Sequence, residues 1–262
     1  MVPKSFILVT PGATRGLGIA LTRQFLRTTN LPVYATHHHA ASDREVQNNI
    51  LKPLNGIHPS QLNLLHLDLR FENSIASAAN CLSESLQQKG LDNAFIHTAF
   101  ITGEIFHPEE QPSDLDWQTL QETFQINVIS HLLIIKHFSR FLPQSKLLQH
   151  PAKWVHVSAR AGSIEDNKRG GWYSYRASKA ALDQVVKTFD HYLERRKNNA
   201  ICVGVHPGTV KTDLSRDFLE PTSRMELFEP MDAASNLINV VENLATNQRG
   251  KLWDWAGKEI AW

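Results

Sequence analysis

Short apolar runs alternate with longer stretches of helical period along almost the entire chain, and that alternation admits few folds. Strand-like runs lie at 5–10, 33–36, 62–67, 93–98, 153–158, 200–206 and 251–255, with helical patterns at 17–28, 73–88, 114–141, 174–196 and 232–245. The 114–141 stretch is long enough for two helices. Runs such as Phe6-Ile7-Leu8-Val9 and Ile201-Cys202-Val203-Gly204-Val205 carry no polar side chain, so both faces of these strands must be covered. Strands buried on both sides and separated by helices make the doubly wound α/β pattern, whose ligands bind beyond the carboxyl ends of the strands. The expectation is a single α/β domain over 1–262, with a parallel sheet of about seven strands and helices on both faces. Pro and Gly mark the joints, as at Pro32, Pro53, Gly56, Pro59, Gly90 and Pro207-Gly208.

Composition removes several other classes. The formal net charge is +1, without the basic excess that a nucleic-acid partner requires. Cys81 and Cys202 are far apart and fit no metal or redox spacing, so they read as reduced thiols of a cytoplasmic protein. The N-terminus runs directly into the first strand without the apolar region and cleavage site of a signal peptide. The most apolar later stretch, 126–135, is interrupted by Asn127, Ser130 and His131, which argues against a membrane span.

After the first strand comes Gly12-Ala13-Thr14-Arg15-Gly16-Leu17-Gly18, a GxxxGxG spacing that opens a helix. A backbone that turns tightly against a pyrophosphate has no room for a Cβ, and a helix N-terminus offers free N–H groups and a positive dipole end to the anion. Gly12, Thr14, Arg15, Gly16, Leu17 and Gly18 are therefore candidate cofactor contacts.

A second constellation carries the chemistry. Tyr175 and Lys179, in Tyr175-Arg176-Ala177-Ser178-Lys179, share one face of a helix. Ser158 ends the strand Trp154-Val155-His156-Val157-Ser158, and so lies at the same crevice as the start of that helix. An ammonium near the phenol is expected to lower its pKa toward working pH, leaving Tyr175 able to give a proton to a carbonyl oxygen or take one from an alcohol, with Ser158 holding that oxygen.

These residues resemble the short-chain dehydrogenase/reductase family over nearly the whole chain, with its Rossmann-type fold. Within the family, 158–163, 170–175 and the tail Leu252-Trp253-Asp254-Trp255-Ala256-Gly257 resemble the C-factor and sniffer branch of carbonyl reductases. The resemblance implies a catalytic tetrad of Asn127, Ser158, Tyr175 and Lys179, with Asn127 bending its helix and supporting a proton relay through Lys179. It implies Asp68 and Leu69 near the adenine, and Ala99 beside the cofactor. It also implies that Pro207, Gly208, Val210 and Thr212 lie near the nicotinamide, where Tyr175 and Lys179 are contacts as well. It further implies a homodimer or homotetramer built on the 114–141 and Tyr175 helices. Two departures stand out. Pro11 is inserted before Gly12, and the family's Asn-Asn-Ala-Gly appears as His97-Thr98-Ala99-Phe100, which puts Phe100 where the backbone is expected to pass the cofactor.

No acid follows the second strand, which ends Ala35-Thr36-His37-His38-His39. With Arg15 in the glycine turn, and His37 and His38 as further contacts, the preferred cofactor is NADP(H), NAD(H) being the alternative. The histidine run has no companion ligands at fixed spacing, so no metal site is expected. The leading functional class is an NADP(H)-dependent oxidoreductase that interconverts a small carbonyl compound and its alcohol. The other class is an NADP(H)-binding regulatory protein with little turnover.

Overall fold

The computed structural model describes residues 4–38, 42–144, 150–215 and 226–262. Its central sheet has eight strands, one more than the expected seven, in the order β10-β9-β6-β5-β4-β1-β2-β3. They are β1 (Ser5–Thr10), β2 (Val33–His37), β3 (Leu62–His66), β4 (Phe95–Ile101), β5 (Ala152–Val157), β6 (Ala200–His206), β9 (Leu252–Asp254) and β10 (Glu259–Ile260). All neighbours run parallel except β10, an antiparallel edge strand on β9. Two short strands, β7 (Thr209–Val210) and β8 (Leu227–Phe228), pair separately.

The helices are α1 (Gly16–Thr28), α2 (Asp43–Leu51), α3 (Glu72–Gln88), α4 (Trp117–Phe124), α5 (Ser130–Phe138), α6 (Tyr173–Arg195) and α7 (Pro230–Asn243). They bury two apolar layers. One face of the sheet packs Ile7, Val9, Val155 and Val203 against residues of α1, α2 and α7. The other packs Leu8, Ile96, Trp154 and Cys202 against residues of α3, α5 and α6. Alternate positions of one strand thus feed opposite layers, as the period of a strand requires. The chain order reverses at β1, which lies between β4 and β2, so the switch crevice opens at the carboxyl ends of β1 and β4.

Three expectations change here. The helix α2 was not expected; its start is fixed by a reciprocal capping box between Ser42 and Glu45. β4 ends at Ile101 instead of residue 98, so Ala99 is fully buried inside the strand and the crevice begins at Thr102. Phe100 does not face that crevice. Its side chain turns into the α1 layer, where its ring lies 5.8 Å from that of Phe25.

The 114–141 stretch splits around a π-helical turn, Gln125–Ile129, which joins α4 to α5. Trp117 and Leu132, on the two sides of that turn, are 70% and 47% exposed. No described helix is long and apolar enough to cross a membrane.

Candidate active site

The crevice is built first by the glycine turn. A Cβ on Gly12 would lie 2.6 Å from the Val9 carbonyl oxygen, and one on Gly18 would lie 2.3 Å from that of Pro11. Neither position tolerates a side chain unless backbone moves. Gly16 has φ +56°, a left-handed conformation that favours glycine. The N–H groups of Gly12 and Ala13 donate to the Thr36 carbonyl and fasten the turn to β2. No side chain caps the start of α1 and no acid lies in its first turn. The first N–H groups of that helix are thus left for an anion. Thr212 packs beside Gly16, so the 206–212 segment meets the glycine turn.

The segment after β6 is shaped around Gly208, which has φ +76°. A Cβ there would lie 2.7 Å from the Phe228 ring and 3.0 Å from Trp255. Val210 is buried, while Pro207 begins the turn that leads to β7.

The catalytic candidates converge on the crevice from α6, β5 and the π turn. Tyr175 and Lys179 are both buried. The Lys179 ammonium donates to the Val157 carbonyl at 3.1 Å, forms an ion pair with Glu104, and lies 5.5 Å from the Tyr175 ring centroid. The Tyr175 hydroxyl donates to the same Glu104 oxygen at 3.4 Å. Ser158 donates to Asp183 Oδ1 at 2.6 Å. Asn127 accepts from Ile105 N at 2.9 Å and donates to Ile105 O and to Ser178 Oγ, both at 3.0 Å. The bend expected at Asn127 is the π turn, a deformation concentrated at functional sites. It lets Asn127 clamp the backbone next to Glu104 while touching the neighbour of Lys179.

The expected effect of Lys179 on the phenol is outweighed. Burial pushes the Tyr175 pKa well above its ordinary value, and the Glu104 carboxylate adds to the rise. At neutral pH Tyr175 therefore keeps its proton and is an acid rather than a base.

Sequence reasoning missed Glu104 and Asp183. Asp183 follows Tyr175 and Lys179 by further helical turns on one face of α6, a spacing that marks it. Glu104 had no local signal beyond its place just past β4. An aromatic wall was also missed. The Phe106 ring meets Tyr175 at 4.7 Å and Trp172 at 5.1 Å, both edge-on. Trp172 is held at the start of α6 by its N–H, which donates to Glu109 O. The Arg176 side chain donates to Ala161, Gly170 and Gly171 carbonyls, tying the segment before α6 to the helix.

Beneath the site runs a closed chain of buried rings. Trp154 Nε1 donates to His156 Nε2 at 2.9 Å, His156 Nδ1 meets His131 Nδ1 at 2.8 Å, and His131 Nε2 reaches Gly103 O at 2.8 Å. Because the indole only donates, the direction of every bond follows: His156 donates to His131, which donates to Gly103. Burial holds His131 down at about 3 and pushes His156 well below its ordinary value, with His131 and Lys179 adding to the drop. The folded state thus binds fewer protons here than the unfolded chain, and this contribution to stability is lost as pH falls from about 6.5 toward 3. In 15N–1H spectra neither ring should titrate between pH 8 and 5; a protonation step there would break this assignment.

Of the other candidates, His37 is buried and donates to Asp43 Oδ1 (3.0 Å), while His38 is exposed. Asp43 supplies the acid that was not expected near the end of β2. Asp68 is paired with Arg70 at 2.6 Å, and Leu69 packs over Gly103. Arg15, Thr14 and Leu17 sit in the glycine turn, with Arg15 exposed. His39 lies outside the described residues. No group of three metal-ligating side chains occurs among the described residues.

A crevice with an uncapped helix end and a buried tyrosine–lysine pair is compatible with a redox enzyme of the doubly wound class. The model of the family described as short chain dehydrogenase matches residues 5–222, and the chain belongs to that family. A curated relative from Rhodococcus sp., a 1-hydroxy-2-glutathionyl-2-methyl-3-butene dehydrogenase, is 31% identical over 71% of this chain and 75% of its own length. C-signal of Myxococcus xanthus is 31% identical over 57% of this chain and 82% of its own length. The solved NADPH-bound carbonyl reductase from chicken fatty liver superposes with TM-score 0.82 at 25% identity, over 100% of both chains. The carbonyl reductase Sniffer of D. melanogaster shares the fold, with TM-score 0.80 at 22% identity over 100% of both chains. The family and its dehydrogenase relative support an oxidoreductase activity, and C-signal supports the C-factor likeness.

Proposed function

We propose that the protein is an NADP(H)-dependent carbonyl reductase in which Tyr175 gives the proton. The observation that carries this reading is the linked set of Tyr175, Lys179, Ser158 and Asn127 by the carboxyl ends of β4 and β5, in a fold whose first helix starts uncapped after a glycine turn. When bound, the nicotinamide supplies the hydride. Gly12, Gly16 and Gly18 would admit its pyrophosphate, with Thr14, Arg15, Leu17, His38, Asp68, Leu69, Pro207, Gly208, Val210 and Thr212 around the rest. Tyr175 gives its proton to the substrate oxygen as charge develops there. Lys179, buried and held by Val157, stabilises the phenolate left behind. Asn127 fixes the position of Ile105, and through it the segment carrying Glu104. The raised Tyr175 pKa favours reduction over alcohol oxidation near neutrality. Phe106 and Trp172 favour a ketone or aldehyde with an apolar or aromatic substituent.

For the cofactor, the acids near the adenosine side are already matched: Asp68 by Arg70 and Asp43 by His37. Among the described residues, the exposed Arg15 of the glycine turn is a cation available to a 2′-phosphate. Replacing Arg15 by Ala should weaken NADPH binding about tenfold, roughly 1.4 kcal/mol, and leave NADH binding nearly unchanged. Fluorescence titration of both nucleotides decides this, and equal losses for the two would remove Arg15 from the 2′-phosphate site.

The reading itself is tested by NADPH oxidation with a panel of aromatic and aliphatic carbonyl compounds. A second reading, a dinucleotide-binding regulator with little turnover, is favoured by the Glu104 carboxylate that engages both Lys179 and the Tyr175 hydroxyl. Tight NADPH binding with no turnover on any compound would select it. The homodimer or homotetramer expected from the family is supported by the exposed Trp117, Ile129 and Leu132.

A further inference from the structure

We propose that Asp183 is a positioning residue for Ser158: protonated, it donates to Ser158 Oγ and frees that hydroxyl to donate to the substrate oxygen; ionised, it takes the Ser158 proton for itself. The proposal rests on the carbonyl-reductase reading and assigns Asp183 the control of its serine.

The geometry is that of two buried groups with one proton too few. Ser158 Oγ and Asp183 Oδ1 lie 2.6 Å apart, with both residues almost fully buried. A serine hydroxyl has a single proton, and an ionised carboxylate can only accept. While Asp183 is charged, Ser158 must point its proton at Asp183 and offers the crevice only lone pairs. A carbonyl oxygen gaining negative charge needs donors, so this state withholds one of them. A protonated Asp183 reverses the bond, and Ser158 then completes the donor set with Tyr175.

The surroundings make both states reachable. Asp183 Oδ2 is buried and has no hydrogen-bond partner among the described residues. It lies over Gly162, where a Cβ would come within 2.7 Å of it. A cavity of about 200 Å³ adjoins Asp183, lined also by Ile164, Gln184, Lys187 and Trp262, and gives solvent protons a route. The charged groups around the carboxyl come from few directions. On α6 itself these are Lys179, Tyr175 and Lys187. β5 brings Ser158, β6 brings only Gly204, and the 160–162 turn carries Arg160, which is engaged with Asp166 and Asp254. His206, at the end of β6, is held neutral by burial, down at about 4. Burial pushes Asp183 up to about 7, against the opposing pull of Ser158 and Lys179. Tyr175 titrates well above 10, so it adds no limb near neutrality. Lys153, lowered by burial to about 8, sits at the opposite end of β5 and donates to Leu244 O.

The test compares wild type with Asp183→Asn, whose amide donates permanently to Ser158. In NADPH oxidation, wild-type kcat should fall about tenfold per pH unit above neutrality, with one proton involved. Asp183→Asn should keep its low-pH rate through pH 9. A variant that retains the wild-type alkaline limb overturns the proposal. Carboxyl 13C spectra of the cofactor-free protein supply a second readout. Asp183 should ionise near neutrality, and Ser158→Ala should move that step upward, because the bond that favours the charged form is gone. A step at an ordinary carboxylate pH, or one indifferent to Ser158→Ala, also overturns it. Absence of turnover in wild type on every carbonyl compound would instead sink the reductase reading, while a Ser158-sensitive step near neutrality would still support the coupling.

Discussion

Tyr175→Phe should lower turnover of NADPH with any carbonyl substrate by about 10²–10⁴-fold and leave the fold and cofactor affinity in place. The substitution removes one oxygen. The ring keeps its edge-on packing against Phe106 and its contact with the Lys179 ammonium. Among the described residues the bond lost is the 3.4 Å donation to Glu104, which still holds Lys179. Stability should therefore change by less than about 1 kcal/mol. A stopped-flow single-turnover measurement, paired with NADPH fluorescence titration and thermal melting, separates the terms. Unchanged single-turnover rates would remove the phenol from the chemistry. A large fall in melting temperature would show that the ring, not the proton, had been disturbed.

The second large effect is expected at Gly18→Ala. A methyl group there would lie 2.3 Å from the Pro11 carbonyl oxygen and 3.3 Å from the Gly12 Cα. Both neighbours are backbone, so relief requires α1 to move away from the turn that follows β1. Overpacking of this kind costs about 3 kcal/mol, which for a chain of this size is roughly 6–12 °C in melting temperature. The same movement spoils the helix end that is to receive the pyrophosphate, so the rise in melting temperature given by saturating NADPH should vanish. Gly90→Ala is the control. Its φ of +62° strains any side chain, but nothing lies within 4 Å of the added methyl. It should cost only about 1 kcal/mol and leave the NADPH effect intact. A Gly18→Ala protein that melts and binds like wild type would refute the tight-turn account.

The order of strands and helices, the glycine turn and the Tyr175–Lys179 pair were legible because each leaves a local pattern. Two-sided apolar runs, a spaced set of glycines, and residues one helical turn apart need no knowledge of distant chain. What escaped depends on contacts made from elsewhere. α2 buries only Val46 and Ile50, too little to register as a period, although Ser42 and Glu45 carried its start signal. Phe100 looked like an obstruction because a strand boundary was set at 98; three more residues of β4 send its ring into the layer beneath α1. The phenol's pKa was misjudged for a similar reason. Lys179 is visible four positions away on the same helix, whereas Glu104 comes from beyond β4 and burial is a property of the whole fold.

The π turn at Gln125–Ile129 also acts as a phase shifter. Widening one turn rotates everything beyond it by about 100° relative to a regular helix. α4 can therefore lean on α6 while α5, continuous with it, leans on α3. A single residue deleted within that turn would restore ordinary winding, leave Ile134 and Phe138 facing their layer, and carry Asn127 off Ile105.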